Sequence, residues 1–257
     1  MITTMPVFYY NYAITAENYY INFDDGSGEI ACILDQGNYS PTNLAIEVSR
    51  AMSEFGNQDY TCTFNRSDRT FTITASGNFD LLIQTGVNIG LGAFATLGFT
   101  GSDLTGTNTY TSDTSAGSEF IPQFKPQDYI DFDDWQEYTQ ANINEAASGL
   151  IEVYSIGLRS FMEFNLTLAT DIDQGRAGLI RTDSSGVSKL RDFMQYCITK
   201  GEVEFMKDSS DRNTYSTIIL EKTPTSSTGT GYQLKELYGR GIPGYFETGK
   251  LKWRLKE

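Results

Sequence analysis

The stretch Tyr60-Thr-Cys-Thr-Phe-Asn-Arg-Ser-Asp-Arg-Thr-Phe-Thr-Ile-Thr-Ala75 decides the fold class. Tyr60, Cys62 and Phe64 alternate with Thr61 and Thr63, and Phe71, Ile73 and Ala75 alternate with Thr70, Thr72 and Thr74. A period of two places every second side chain on one face of a strand, so one face is apolar and the other is lined with threonine. The polar segment Asn65 to Asp68 joins the two runs as a turn. The reading is an antiparallel hairpin buried on one side.

Upstream, Ser40-Pro41 opens a helix. Serine is a good N-cap, and proline fits the first helical position because its missing N–H would have no partner there. Leu44, Val48, Ala51, Met52 and Phe55 fall on one apolar face, and Gly56 stands where the helix should stop. Before it, Tyr19, Ile21 and Phe23 alternate up to Asp24-Asp-Gly-Ser-Gly28, a hairpin turn, and Ile30 to Leu34 returns as a strand. Phe79, Leu81 and Ile83 suit a further strand. Val87 to Phe99 is apolar but interrupted by Gly90, Gly92 and Gly98, at best a loop with a weak helix. Residues 100–120, rich in Gly, Ser, Thr and Asp, have the composition of a linker or arm.

Downstream, Tyr129-Ile-Asp-Phe-Asp-Asp-Trp135 is aromatic and acidic. Ile151 to Leu168, Val203-Glu-Phe205, Tyr215 to Leu220 and the tail from Leu251 read as strands, around a helix at 187–198 that presents Leu190, Phe193, Met194 and Cys197 on one face, with Gly201 after it. Asp208-Ser-Ser-Asp211 is a turn. The expected fold is mainly β (α+β), in two β-rich domains, 1–120 and 121–257, each a β-sandwich or barrel with a helix packed on it.

The 257 residues contain no histidine. That excludes every triad, zinc site or acid–base scheme built on imidazole. Net charge is −14, so the chain as a whole repels nucleic acid and anionic membrane. Residues 1–120 carry three arginines and no lysine against 13 carboxylates; 121–257 carry 16 basic and 20 acidic side chains. Cys32, Cys62 and Cys197 are an odd set without metal-site or redox spacing and read as small buried hydrophobes of a reducing compartment. The N-terminus has no signal-peptide pattern, and no apolar run is long enough to span a membrane.

Gly244-Tyr-Phe-Glu-Thr-Gly-Lys250 fits the spacing of a phosphate-binding loop. Leu251 stands where Ser or Thr must hold magnesium, and too few residues follow for the required helix, so the glycines serve a turn before the last strand. Asp24 to Glu29 lacks the ligand spacing of a calcium loop. Asp131, Asp133 and Asp134 read as a solvated face. No catalytic residue, cofactor or metal is expected. The basic tail, with Lys250, Lys252 and Arg254, complements the acidic first half, and aromatic side chains dominate protein–protein contacts. The interface candidates are therefore Tyr129, Phe132, Trp135, Tyr245, Phe246, Trp253, Lys250, Lys252 and Arg254.

Several stretches resemble tail proteins of double-stranded DNA bacteriophages. These are Gly37-Asn-Tyr-Ser-Pro-Thr-Asn-Leu-Ala45 with its helix, the hairpin 60–75, Leu97-Gly-Phe-Thr-Gly-Ser-Asp103 and Thr109-Tyr-Thr-Ser-Asp113, within 18–113. More loosely, Ser148 to Tyr154, Leu190 to Tyr196, Val203-Glu-Phe205 and Tyr215 to Leu220 resemble tail-tube and distal-tail domains. The resemblance implies a virion structural subunit made in the host cytoplasm, forming a hexameric or trimeric ring with itself and other tail or baseplate proteins. DNA would be passing cargo only. A receptor- or carbohydrate-binding module at the tail tip is the alternative.

Overall fold

The computed structural model describes residues 5–122, 136–145, 151–169, 172–173, 180–181, 186–223, 235–236 and 245–256. In chain order the elements are β1 (Val7–Tyr10), β2 (Tyr12–Ile14), β3 (Tyr20–Asp24), β4 (Glu29–Ile33), β5 (Gly37–Tyr39), α1 (Pro41–Phe55), β6 (Tyr60–Asn65), β7 (Thr70–Leu81), β8 (Leu104–Thr111) and β9 (Ser118–Phe120). There follow β10 (Gln136–Glu145), β11 (Ile151–Ala169), β12 (Ile172–Asp173), β13 (Ile180–Arg181), α2 (Gly186–Ile198), β14 (Val203–Met206), β15 (Ser216–Lys222), β16 (Lys235–Glu236) and β17 (Tyr245–Leu255). The protein is mainly β, with helices packed on its sheets, as expected. Among the described residues no sheet closes on itself, so the barrel alternative does not form.

The chain divides into two compact units. One comprises 7–120 together with 201–215, and the other is built from the described parts of 121–200 and 216–257.

In the first unit the hairpin lies where its alternation puts it: β6 pairs with β7 from Tyr60 opposite Ala75 to Asn65 opposite Thr70. β7 is longer than its apolar runs suggest. It continues past Ser76-Gly-Asn78 and absorbs the strand expected at 79–83 as far as Leu81. β8 lies along one edge of β7, while β6 and then β3 lie along the other, with β4 beyond β3. The apolar faces of these strands and of α1 meet in one core, including Ile21, Phe23, Cys32, Leu44, Val48, Met52, Phe71, Ile73 and Phe79. Tyr60 sits edge-to-face between Phe23 and Phe79, at 5.2 and 5.3 Å, and Phe79 meets Tyr110 at 5.0 Å. Such ring pairs contribute about 0.5–1.5 kcal/mol each beyond the area they bury.

The linker reading of 100–120 is overturned. Residues 104–111 form β8, Tyr110 is buried, and its hydroxyl donates to the Phe79 carbonyl at 2.7 Å. Threonine is a strand former, and one buried tyrosine suffices to seat an otherwise polar edge strand. Gly56 ends α1 as expected but not in a left-handed conformation (φ −87°). It is needed for close approach, because a Cβ there would lie 2.8 Å from the Met52 carbonyl and 2.8 Å from the Tyr60 ring.

In the second unit β11 lies between β10 and β17, and β17 lies between β11 and β15. The basic tail strand is therefore central in its sheet. Leu190, Phe193, Met194 and Cys197 of α2 are all fully buried. Gly249 does not make a turn before the last strand. It sits inside β17 at φ +67°, where the register against β11 slips by one and the Thr248 hydroxyl accepts the Leu166 N–H at 3.1 Å. That is a bulge glycine. After α2 the left-handed position is taken by Lys200 (φ +63°), whose ammonium donates to the Leu220 and Glu221 carbonyls at 2.6 and 3.0 Å.

Candidate functional site

A cluster of charged side chains in the first unit, Glu202, Glu204 and Arg66, is structural. α1 has no acidic residue in its first turn. Carboxylates reach its N-terminus from β14 and the residue before it, some 160 positions downstream. Glu202 accepts from the Ser40 N–H at 3.0 Å and the Asn43 amide at 2.6 Å, and Glu204 accepts from the Thr42 N–H at 3.2 Å and from its hydroxyl. Negative charge at a helix N-terminus satisfies its free amides and opposes its dipole. Glu204 is fully buried and is held by Arg66 through two bonds, Nε at 3.0 Å and Nη2 at 3.1 Å. The Arg66 guanidinium lies 3.6 Å over the Tyr215 ring. Tyr9 donates to the Arg66 carbonyl at 2.6 Å and accepts from Arg212 at 2.5 Å, and Arg212 pairs with Glu119 at 2.9 Å.

Of the sequence-predicted interface residues, Tyr129, Phe132 and Trp135 lie outside the described residues. Tyr245 and Phe246 open β17. Trp253 is fully buried in the second unit, stacked on Phe164 at 5.6 Å and Phe193 at 6.0 Å, and so serves its core. Lys250 is exposed, the Lys252 ammonium sits 4.2 Å over the Phe161 ring, and Arg254 pairs with Glu221 at 3.6 Å. The phosphate-loop spacing is dissolved in a strand, with no helix after Lys250.

Sequence reading missed a set of exposed apolar side chains in the first unit, beyond Ile46 and Phe55 of α1. Val87 is 75% exposed, Ile89 48% and Leu91 37%, and Ile33 on β4 is 41% exposed. A signal was present: Gly86, Gly90 and Gly92 interrupt the apolar residues at 87, 89 and 91, which argues against a packed helix or strand there. A second exposed feature is β8. Residues 105–109 are all exposed, no strand pairs its outer edge among the described residues, and it contains no charge or proline.

An open polar cavity of about 480 Å³ is lined by Asn11, Ala13, Thr15, Asn18, Ala95, Thr96, Ser115 and Gly117. Asn11 is left-handed (φ +69°), as is Gly117 (φ +59°), where any Cβ would strike the Tyr12 ring at 2.3 Å. Asn18 fixes the wall, accepting from the Thr15 N–H at 2.7 Å and donating to Thr96 at 2.8 Å.

Displaced titrations follow burial and loop anchoring. Burial pushes the Cys32 and Cys62 thiols up to about 12 and the Cys197 thiol well above its ordinary value. Among the described residues every displaced carboxylate goes down: at Asp25, Glu47 and Asp103 the upward push of burial is outweighed by donated hydrogen bonds. At Asp113 the backbone N–H and hydroxyl of Thr100 lead. Among the described residues no three metal-ligating side chains converge, and no helix is long and apolar enough to cross a membrane.

These features define a β-rich protein of two units whose exposed features are an apolar loop, an open strand edge and a polar cavity. No family model and no curated protein matches the chain. Among solved structures it is similar to the mavirus penton protein, at 8% identity over 98% of this chain and 86% of that one, with a TM-score of 0.28. A likeness that slight does not define a shared fold.

Proposed function

We propose that this chain is a structural subunit of a virus particle, a component of a phage tail near its distal end or baseplate, acting by assembly and not by catalysis. The observation that carries the reading is the outer edge of β8. Soluble proteins protect such edges with lysine, proline or bulky cover, because unpaired N–H and C=O groups recruit another strand. Here residues 107–111 run Thr-Asn-Thr-Tyr-Thr, uncharged and exposed except for Tyr110. Thr111 and Thr109 hydrogen-bond to Thr72 and Thr74 at 2.8 and 3.3 Å, which ties this end of the edge to β7, beyond the bulges at Thr74–Leu81. The lowered carboxylates Asp25, Glu47, Asp103 and Asp113 fit the same reading, since each is held ionised as a structural acceptor. The acidic character of the chain would let DNA pass without sticking.

The test is the oligomeric state of the purified full chain, followed by light scattering and negative-stain imaging over rising concentration. Rings or higher oligomers are expected, with Thr107→Lys/Thr109→Lys returning the chain to monomer while leaving its unfolding temperature in place. A monomer at every concentration would overturn the reading.

The polar cavity favours a second reading, a module that binds a saccharide at the particle's tip. Its volume is in the range of small-molecule sites and its lining is neutral and rich in hydrogen-bonding groups. Specific binding on a glycan array, lost in Asn11→Ala, would promote it.

A further inference from the structure

We propose that the loop 84–91, with Ile33 beside it, is a docking surface for a partner protein that presents an apolar socket ringed by lysine or arginine. The inference deepens the assembly reading above.

The loop is built to hold its shape. Asp103 accepts from the Gln84 N–H at 2.6 Å, from the Thr85 N–H at 3.3 Å and from the Thr85 hydroxyl at 2.5 Å. Glu29 of β4 accepts the Val87 N–H at 2.6 Å and, on the same oxygen, the Asn22 amide at 2.7 Å. The chain thus crosses the outer face of β3 to reach β4. Gly86 rests directly on the buried side chain of Asn22, where a Cβ would lie 2.5 Å away. A short 3₁₀ turn over Ile89–Leu91 follows, and the Ala93 N–H returns to the Tyr20 carbonyl at 2.7 Å. Ile33 stands directly opposite Tyr20 on the other side.

Polar side chains anchor this loop from below, and its apolar side chains face out. A loop that merely connects two strands has no reason to arrange itself so. Contiguous exposed apolar groups on a fixed scaffold mark interaction sites, and pre-ordering removes part of the entropic cost of binding.

Charge selects the occupant. Asp24, Glu29 and Asp80 are neighbours across β4, β3 and β7, and Asp103 lies under the loop. Their partners are backbone amides, a hydroxyl and an asparagine, and among the described residues none of the four forms an ion pair. The three arginines of 1–120 are spent elsewhere: Arg50 on Glu47 and Glu54, Arg66 on Glu204, and Arg69 on the Ala116 and Gly117 carbonyls. An apolar centre with an uncompensated acidic rim repels its own copy face to face and an anionic membrane, and attracts a cationic rim.

The test uses a Leu/Lys amphipathic peptide as probe, with a Leu/Glu peptide of the same pattern as control, titrated into the isotopically labelled full chain. Amide shifts are expected at 84–92 and along β4, with the Leu/Lys peptide bound and the Leu/Glu peptide not, and with affinity falling as salt rises. Val87→Ser/Ile89→Ser, which alters only exposed side chains, should weaken the peptide at least tenfold with an unchanged unfolding temperature. Equal affinity in that variant, or shifts spread over the acidic surface, overturns the proposal and leaves the β8 assembly reading standing. So does loss of self-association, or of binding to zwitterionic vesicles, as the variant's only effect, since a second copy or a lipid surface is then the occupant. A chain that is monomeric at every concentration overturns the assembly reading without touching peptide binding.

Discussion

The buried carboxylate of Glu204 and the guanidinium of Arg66 meet in a two-pronged pair, 138 residues apart in sequence, at 3.0 and 3.1 Å. The pair also carries the N-terminus of α1, because the same carboxylate accepts the Thr42 amide. Removing one member leaves a buried charge without its partner, which costs about 3–5 kcal/mol. Glu204→Ala is expected to lose that much in urea unfolding. Arg66→Met/Glu204→Leu should recover a large part of it, and a double variant no more stable than Glu204→Ala would refute the account.

Acid should loosen the first unit through its anchoring carboxylates. Asp25, Glu47, Asp103 and Asp113 all have folded-state pKa values below their ordinary ones, 3.8 for aspartate and 4.5 for glutamate. A depressed carboxylate contributes stability above its unfolded pKa and loses it as pH falls through the folded value. Stability is therefore expected to decline below about pH 4.5. Asp103→Asn/Asp113→Asn should be less stable at neutral pH and flatter in its acid limb. Parallel curves for variant and parent would count against these two groups.

The three thiols should be silent in the native state. Cys32, Cys62 and Cys197 are buried, with their ionisation pushed upward by burial. Only thiolate reacts with alkylating reagents, so labelling at neutral pH should be negligible until denaturant is added, when all three react. Rapid labelling of any one in the folded chain, read by mass spectrometry, would contradict the packing described.

Two glycines of the apolar loop should respond oppositely to the same change. Gly86→Ala drives a Cβ into the buried Asn22 side chain, while at Gly90 a Cβ meets nothing within 4 Å. The first should cost about 1–3 kcal/mol, as overpacking does, and expose the Val87 amide to exchange. The second should stay within about 0.5 kcal/mol of the parent. Thermal unfolding with hydrogen exchange separates them.

The sequence revealed what is local. Ser40 and Pro41 start α1 where they should, and the threonine-backed alternation of 60–75 sets the register of its hairpin residue for residue. Glycine and threonine misled where their role depends on tertiary context: Thr105 to Thr109 resemble a linker until β7 is beside them, and Gly249 resembles a turn until β11 makes it a bulge. The pairing of β1 with β14 and the arrival of Glu202 and Glu204 at α1 leave no trace in either segment. The aromatic content announced packing, but could not say that Trp253 is spent inside its own unit while Val87 and Ile89 face out. Of the candidate surfaces, the cavity leaves no trace in the sequence, and the loop leaves only its glycine-broken run of apolar residues.

The return of 201–215 to the first unit has a consequence for how the chain is born. When Phe120 has left the ribosome, β1 still lacks one neighbour and the first turn of α1 still has free amides, and both wait for Glu202 to Met206. At about 5–20 residues per second, the 80 residues from Ile121 to Lys200 impose a pause of roughly 4–16 s. During that interval the nascent protein is half closed, with a sheet margin and a helix end open to whatever chaperone or neighbouring polypeptide reaches them first.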